Sequence, residues 1–498
     1  MALYLQSLHS LLSAKNELHF LITSDTIKME KFVIIIGMMG KESMKKVLAF
    51  ILAFTLSMAI SNVASAEGDN WEACEGTTIQ VALVEHNVSS CILAKADEFT
   101  EKTGIRVEMI TIPEANYFEK ISSSLAGRYG SIDLFMSGAY QLWDYSAAGY
   151  VEDLTPYLEK AFQGYDYQDF VPNAVDVLKW DGVPGHPVGT GKQLGLPLCF
   201  EIYSLAYNKR AFEKTGLKVP TTFDELLTVS EALKGWNGPG SYGLAVRGHR
   251  DWGTIHPGYM SFFTAYGAKD FEVEGDKLVS RLDSPEAIAM TEWFVDLVKR
   301  GGPPFWANYT WVEVGDDLGT GKAAMMIDAD LNALLQNWIK FGKPSSEEAG
   351  NIAWAPLPTE KPGDPVCSNY WTWSMAMNAN SDAKEAAWLF LQYFTGKDFC
   401  TFASVEDYNL DPVRTSVWEN RAFLKKMKQH EGYIDTYNKT IENTSIYFTP
   451  QPEFFVTTTE WAATLQDLVL DGGDVGEGMR ELTAKVNKVV GYINLSDY

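Results

Sequence analysis

The run Leu198–Tyr207 (LCFEIYSLAY) most constrains what this chain can fold into. It follows a backbone break at Gly195-Leu196-Pro197 and has the length and apolar content of a buried strand. One charge interrupts it, Glu201. A strand buried on both faces has no ordinary place for a carboxylate. The run is therefore expected to cross between two lobes, with Glu201 at a cleft. Beyond it, Asn208 is placed to cap a short helix ending at Gly216. Thr222 and Glu225 then have the spacing of a capping box.

The length agrees with two lobes. The chain has 498 residues, of which 46% are hydrophobic, too many for one small core. Thr78–Val84 alternates as a strand, Ser89–Thr103 reads as a helix, and Val107–Ile112 as a strand. A helix over Tyr117–Ala126 and a strand over Ile132–Met136 follow. This β-α-β-α-β order implies right-handed crossovers and a mainly parallel α/β sheet. Ligands bind beyond the carboxyl ends of such strands. Those ends are Glu85-His86-Asn87 and Ser137-Gly138-Ala139-Tyr140, which makes Asn87 and Tyr140 candidate contacts. Tyr165–Val188 reads as a surface excursion. A strand over Tyr242–Val246 leads into a loop with Arg247, Arg250, Asp251, Trp252 and His256. The strand Ala323–Ile327 leads to Asp328-Ala329-Asp330, and Cys367–Met377 crosses with Trp371 and Trp373. Trp461–Leu470 and Val475–Val490 are closing helices.

Charge and targeting narrow the function classes. The net charge of −24 argues against a nucleic-acid partner, because phosphates need Lys and Arg. Met44-Lys45-Lys46, the apolar Val47–Ile60 and Ala64-Ser65-Ala66 have the three parts of a secretory signal peptide, with cleavage near Ala66. Met44 is then the expected start, and residues 1–43 an over-long reading of the gene. No Cys stands at the cleavage point, so no lipid anchor is expected, and the exported chain belongs in the periplasm. Five Cys remain: Cys74, Cys91, Cys199, Cys367 and Cys400. Cys74 and Cys91 flank the first strand and are the expected disulfide in an oxidising compartment. No Cys/His spacing resembles a metal site.

The catalytic motifs fail. Gly189-Thr190-Gly191-Lys192 and Gly319-Thr320-Gly321-Lys322 lack the earlier Gly and the following Ser/Thr of a phosphate loop. No G-x-S-x-G is present. Glu201, Asp328 and Asp330 could form the carboxylate pair of a glycoside hydrolase, but they are better placed as acceptors for ligand hydroxyls. Trp371 and Trp373 share one face of a strand, while Trp252, Trp306 and Trp311 stand in loops beside Gly and Pro. Such rings pack on the C–H side of polyhydroxylated ligands. Arg414, in the turn Asp411–Thr415, is either a bidentate clamp or a surface ion pair.

Taken together, GLPLCFEIYSLAYNKRAFEKTGLKVPTTFDEL, GKAAMMIDAD and PLPTEKPGDPVCSNYWTWSMAMNANSDAKEAAWLFLQYF resemble the family 1 extracellular solute-binding proteins, receptors of ABC importers. Within that family the chain is most similar to the sorbitol/mannitol-binding group, through SYGLAVRGHRDWG, GGPPFWANYTW, SNYWTWSMA and PVRTSVWEN. The resemblance implies an α/β, two-lobe periplasmic-binding-protein fold (type II) with hinge strands. One lobe would be 67–197 plus 366–424, the other 198–365 plus 425–498. It also implies a non-enzymatic monomer without cofactor, delivering a polyol or small sugar to membrane permease subunits. Tyr140, Glu201, Arg247, Trp252, Asp328, Trp371, Trp373 and Arg414 match positions around the polyol cleft. The chain departs from the group at Thr254-Ile255, where Glu-Asn is usual, at Leu331, where maltose-type relatives carry a stacking Trp, and at His86–Ser89. An oligosaccharide or other organic solute is the alternative ligand. Whether Glu201 touches the ligand or braces the neighbouring Arg and Trp residues stays open.

Overall fold

The computed structural model describes residues 69–127, 132–340, 342–406 and 410–498. The expected signal peptide, Met44 to Ala66, lies outside the described residues. Strand β1 (Thr78–Val84), helix α1 (Asn87–Thr103), β2 (Arg106–Ile112), α2 (Glu114–Ala126), β3 (Leu134–Ser137) and α3 (Ala139–Ala147) follow the order read from the sequence. β1 pairs in parallel with β2 and β3. The long crossing strand is β4 (Leu196–Asn208). After it come β5 (Tyr242–Ala245), α4 (Trp311–Gly319), β6 (Ala323–Ala329), α5 (Asp330–Gln336), β7 (Ile352–Ala355) and β8 (Tyr370–Met377). The closing helices are α6 (Phe454–Leu470) and α7 (Val475–Val490).

The capping signals behave as their chemistry requires. The Asn208 side chain accepts from Arg210 N–H, and Gly216 ends that helix with φ of 69°, a left-handed conformation that favours glycine. Thr222 and Glu225 form a complete capping box.

One sheet of eight strands has the order β2-β1-β3-β8-β4-β6-β5, with β7 also paired to β4. β4 pairs on both sides along its length. Its first half pairs with β8, from Leu196↔Met375 to Ile202↔Tyr370. Its second half pairs with β6 and β7. Side chains alternate along a strand, so Cys199, Glu201 and Tyr203 share a face. Their cross-strand partners Trp373 and Trp371 stand on the same face. The opposite face holds Phe200 and Tyr370 against Trp418 and Tyr437. Among the described residues no helix is long and apolar enough to cross a membrane.

Two expectations are corrected. Cys74 and Cys91 are not bonded; all five cysteines are free. Cys91 is buried in α1 and its thiol donates to the Asn87 carbonyl at 3.3 Å, whereas Cys74 is half-buried, its thiol pushed up by burial and then by the Glu385 charge. Tyr165–Val188 is not a surface excursion either. Phe170, Leu178 and Trp180 in it are buried, and Tyr165 and Phe170 lie against the Arg414 guanidinium.

Candidate functional site

The site grows from the β4–β8 pair. Glu201 and Trp371 are direct cross-strand partners. The Trp371 and Trp373 rings meet edge to face at 5.1 Å. Phe118 of α2 lies parallel to Trp373 at 6.0 Å. From the other side, Trp252 stands 5.5 Å from Trp371 and 6.2 Å from Phe118. These rings, with His256 and Tyr140, form a nearly continuous aromatic cage.

Behind Trp252 lies a buried ion pair. Arg247 Nε and Nη2 each donate to an Asp328 carboxylate oxygen at 2.7 Å, a bidentate fork. Asp328 also accepts its neighbour's backbone N–H, from Ala329 at 2.7 Å, and is fully buried. Arg247 Nη1 contacts Gly253 O and His256 Nε2, both at 3.3 Å. A guanidinium only donates, so His256 Nε2 accepts and Nδ1 carries the proton of the neutral ring. Nδ1 then donates to the Tyr203 hydroxyl oxygen at 2.5 Å. Burial, and next the Arg247 charge, hold His256 well below its usual titration range. The neutral ring stacks on Trp252, centroids 5.1 Å apart.

Glu201 differs from Asp328. Among the described residues its half-buried carboxylate takes no hydrogen bond, and burial pushes its pKa up to about 8. The Arg247 charge opposes that rise, while Asp328 and Glu114 add to it. Glu114 is itself raised, chiefly by burial, with Arg247 and the Trp311 indole acting against the rise.

The structure thus brings together Glu201, Arg247, Trp252, Asp328, Trp371, Trp373 and Tyr140. It assigns several of them supporting work. The Tyr140 hydroxyl donates to Tyr370 O and accepts from Asn369 Nδ2, each at 3.0 Å, and its ring stacks on Phe454 at 4.3 Å. Trp306 is buried one layer back, its indole N–H donating to the Arg247 carbonyl at 3.0 Å. Asn87 opens α1, and it is the preceding His86 whose ring meets Trp373, at 5.6 Å.

Arg414 is not in the cage. Its side chain is fully buried, donating to Thr395 O through Nε and Nη2 and to the Asp166 carbonyl through Nη1. The guanidinium lies 3.6 Å from the Phe170 ring centroid. Both alternatives, clamp and surface ion pair, give way to a core cation. Arg414→Lys should cost about 1–2 kcal/mol through lost carbonyl bonds and stacking. Urea denaturation should report that loss while calorimetric ligand affinity stays unchanged.

Gly138 fixes the Trp371 ring. A Cβ there would lie 2.7 Å from Trp371 Cζ3 and closer still to Cη2, so Gly138→Ala must displace the indole. Overpacking of that kind costs about 1–3 kcal/mol. The expected result is a lower unfolding midpoint with a shifted tryptophan emission maximum; an unchanged spectrum would show that the ring has room.

His256, Phe118, Tyr203 and Glu114 belong to the site although the sequence did not single them out as contacts. His256 stood in the loop that supplied Arg247 and Trp252. Phe118 and Glu114 lie on a helix whose periodicity could not say which residues face the cleft. Among the described residues no group of three or more His, Cys, Asp or Glu side chains could hold a metal ion.

Residues 90–398 match the model of the bacterial extracellular solute-binding protein family. The chain belongs to that family. A curated relative, the erythritol/L-threitol-binding protein of Mycolicibacterium smegmatis, is 38% identical over 84% of this chain and 88% of its own length. Among solved structures, an ABC-transporter solute-binding protein of Agrobacterium radiobacter in complex with ribitol superposes with a TM-score of 0.71. It is 22% identical and covers 83% of this chain and 99% of its own. One from Agrobacterium vitis with bound D-mannitol gives 0.68 at 24% identity, covering 84% and 99%. These likenesses establish the two-lobe fold. Within this solute-binding protein the family match takes in the cage from Phe118 to Trp373, while the flanking His86 and Phe454 lie outside it, as does Arg414.

Proposed function

We propose that the chain is an exported receptor that closes on one small polyol and presents it to an ABC importer. The observation that carries this is Glu201: a carboxylate without a protein hydrogen-bond partner among the described residues, set against an aromatic wall. An acceptor beside flat apolar faces suits a molecule with hydroxyls on one side and C–H groups on the other. The 38% identity to a binding protein for four-carbon polyols favours erythritol or L-threitol over longer ligands. A glycoside hydrolase would need a second free carboxylate opposite Glu201, and Asp328 is held by Arg247 while Glu114 is held by the Trp311 indole.

In this reading the lobes are 67–197 plus 366–424 and 198–365 plus 425–498. β4 and β8 form the hinge, and ligand shifts the population toward the closed form that engages the permease. Export uses the signal ending near Ala66, and the mature receptor is a monomer with no cofactor.

A thermal-shift panel of erythritol, L-threitol, ribitol, D-mannitol and maltose tests the proposal, since ligand stabilises the folded form by mass action. The four-carbon polyols should raise the melting temperature most. Trp252→Ala should then weaken erythritol binding by about 1–3 kcal/mol in calorimetry. No shift with any of the five would refute the carbohydrate reading.

A further inference from the structure

Gln141 lies in the first turn of α3, just past the carboxyl end of β3. Its side chain is 1% exposed, yet neither Oε1 nor Nε2 has a hydrogen-bond partner. Among the described residues it is the one buried side-chain amide with neither its nitrogen nor its oxygen partnered. A buried amide without partners is costly, and such a cost in a native protein calls for an explanation. Position supplies one. A Cβ built on Gly138 would lie 2.7 Å from Gln141 Oε1 and 2.7 Å from Trp371 Cζ3. The amide therefore stands at the ring edge of Trp371, whose cross-strand partner is Glu201.

Tyr140, next in the chain and expected to be the contact from this segment, has its proton and a lone pair engaged by Tyr370 O and Asn369 Nδ2. Gln141 keeps both functions available. An amide that can donate and accept is the complement of a hydroxyl, which does the same. Glu201, when ionised, only accepts.

We propose that Gln141 is a specificity-determining residue: its amide takes a ligand hydroxyl at the Trp371 edge, while Glu201 takes another from the β4 side. This rests on the polyol reading. An analogue lacking a hydroxyl would leave the amide buried and unpaired, which is how a site built for hydrogen bonding rejects it.

The test uses the full chain with Gln141→Met, which keeps the approximate shape and removes both polar atoms, and Gln141→Leu as a second variant should the first fail to fold. Erythritol affinity is measured by calorimetry, and the unfolding midpoint without ligand by urea. The expected result is at least a tenfold loss of erythritol affinity with a ligand-free midpoint equal to or above wild type, because an unsatisfied amide has been removed. Affinity within twofold of wild type overturns the inference and leaves the polyol reading standing. So does a fall in the ligand-free midpoint that accounts for the lost binding, since the amide would then be structural. If wild type binds none of the panel, the polyol reading fails and this inference falls with it.

Discussion

Replacing Asp328 with alanine is expected to destabilise the protein by roughly 3–5 kcal/mol, because breaking a buried pair leaves the other charge uncompensated. Asp328 is fully buried and both its oxygens receive Arg247. Without it, the guanidinium would keep only the weaker contacts to Gly253 O and His256 Nε2 at 3.3 Å. Those contacts cannot neutralise it. The loss would spread, since His256 braces Trp252 and the Arg247 carbonyl anchors Trp306. Ligand binding should fall with stability rather than separately from it. The paired change Arg247→Met with Asp328→Leu should recover much of the stability, because a buried ion pair seldom outperforms apolar residues of similar volume. It should not recover binding. Urea denaturation of the single and paired variants beside wild type decides the matter. If Asp328→Ala unfolds within about 1 kcal/mol of wild type and loses only ligand affinity, Asp328 is a hydroxyl acceptor, as its place after a strand first suggests.

That reversal marks where the sequence stops being legible. The β-α-β-α-β order, the crossing strand and the shared face of Trp371 and Trp373 all follow from periodicity. Periodicity reports on neighbours within an element, and these features are local. Pairings across the chain are not. Arg247 and Asp328 are 81 residues apart, and nothing near either of them names the other. Arg414 lies in a turn, which reads as exposed. Its burial depends on Phe170 and on carbonyls of Thr395 and Asp166, the last 248 residues away. Tyr165–Val188 looked polar for the same reason, because its aromatics close over a cation supplied from elsewhere. Trp306 was an aromatic in a Gly/Pro-rich loop, like Trp252. Only the three-dimensional fold puts one ring at the cage and the other a layer behind it. Gln141 left no trace at all, since an amide in a helix carries no pattern until its neighbours fail to bond it.

Glu201 should make both stability and binding depend on pH, in opposite directions. Its carboxyl is raised from 4.5 to about 8, first by burial and then by Asp328, Glu114 and Asp411, with Arg247 opposing. A folded-state pKa above the unfolded one means that the folded form holds its proton more tightly. The stabilisation is therefore complete below about pH 4.5 and is lost as pH rises through about 8. Each tenfold gain in proton affinity corresponds to about 1.4 kcal/mol. The residue is only half-buried, so solvent screens part of the effect, and a loss of roughly 2–4 kcal/mol between pH 5 and 9 is expected. The neighbouring buried carboxyls Asp411 and Asp330 are also raised, first by burial, and slope the same way. The difference between wild type and Glu201→Gln isolates Glu201, because the amide cannot ionise and its profile should be flatter by that amount. Ligand acts against this trend. A hydroxyl donates more strongly to a carboxylate than to a neutral acid, so binding should favour the ionised form, release a proton near neutral pH and tighten as pH rises through about 8. Erythritol calorimetry in two buffers of different ionisation enthalpy measures that proton directly. The Gln variant should release none and bind more weakly at about pH 9 than wild type. Equal proton release from both proteins would mean that Glu201 braces the cage without touching the ligand.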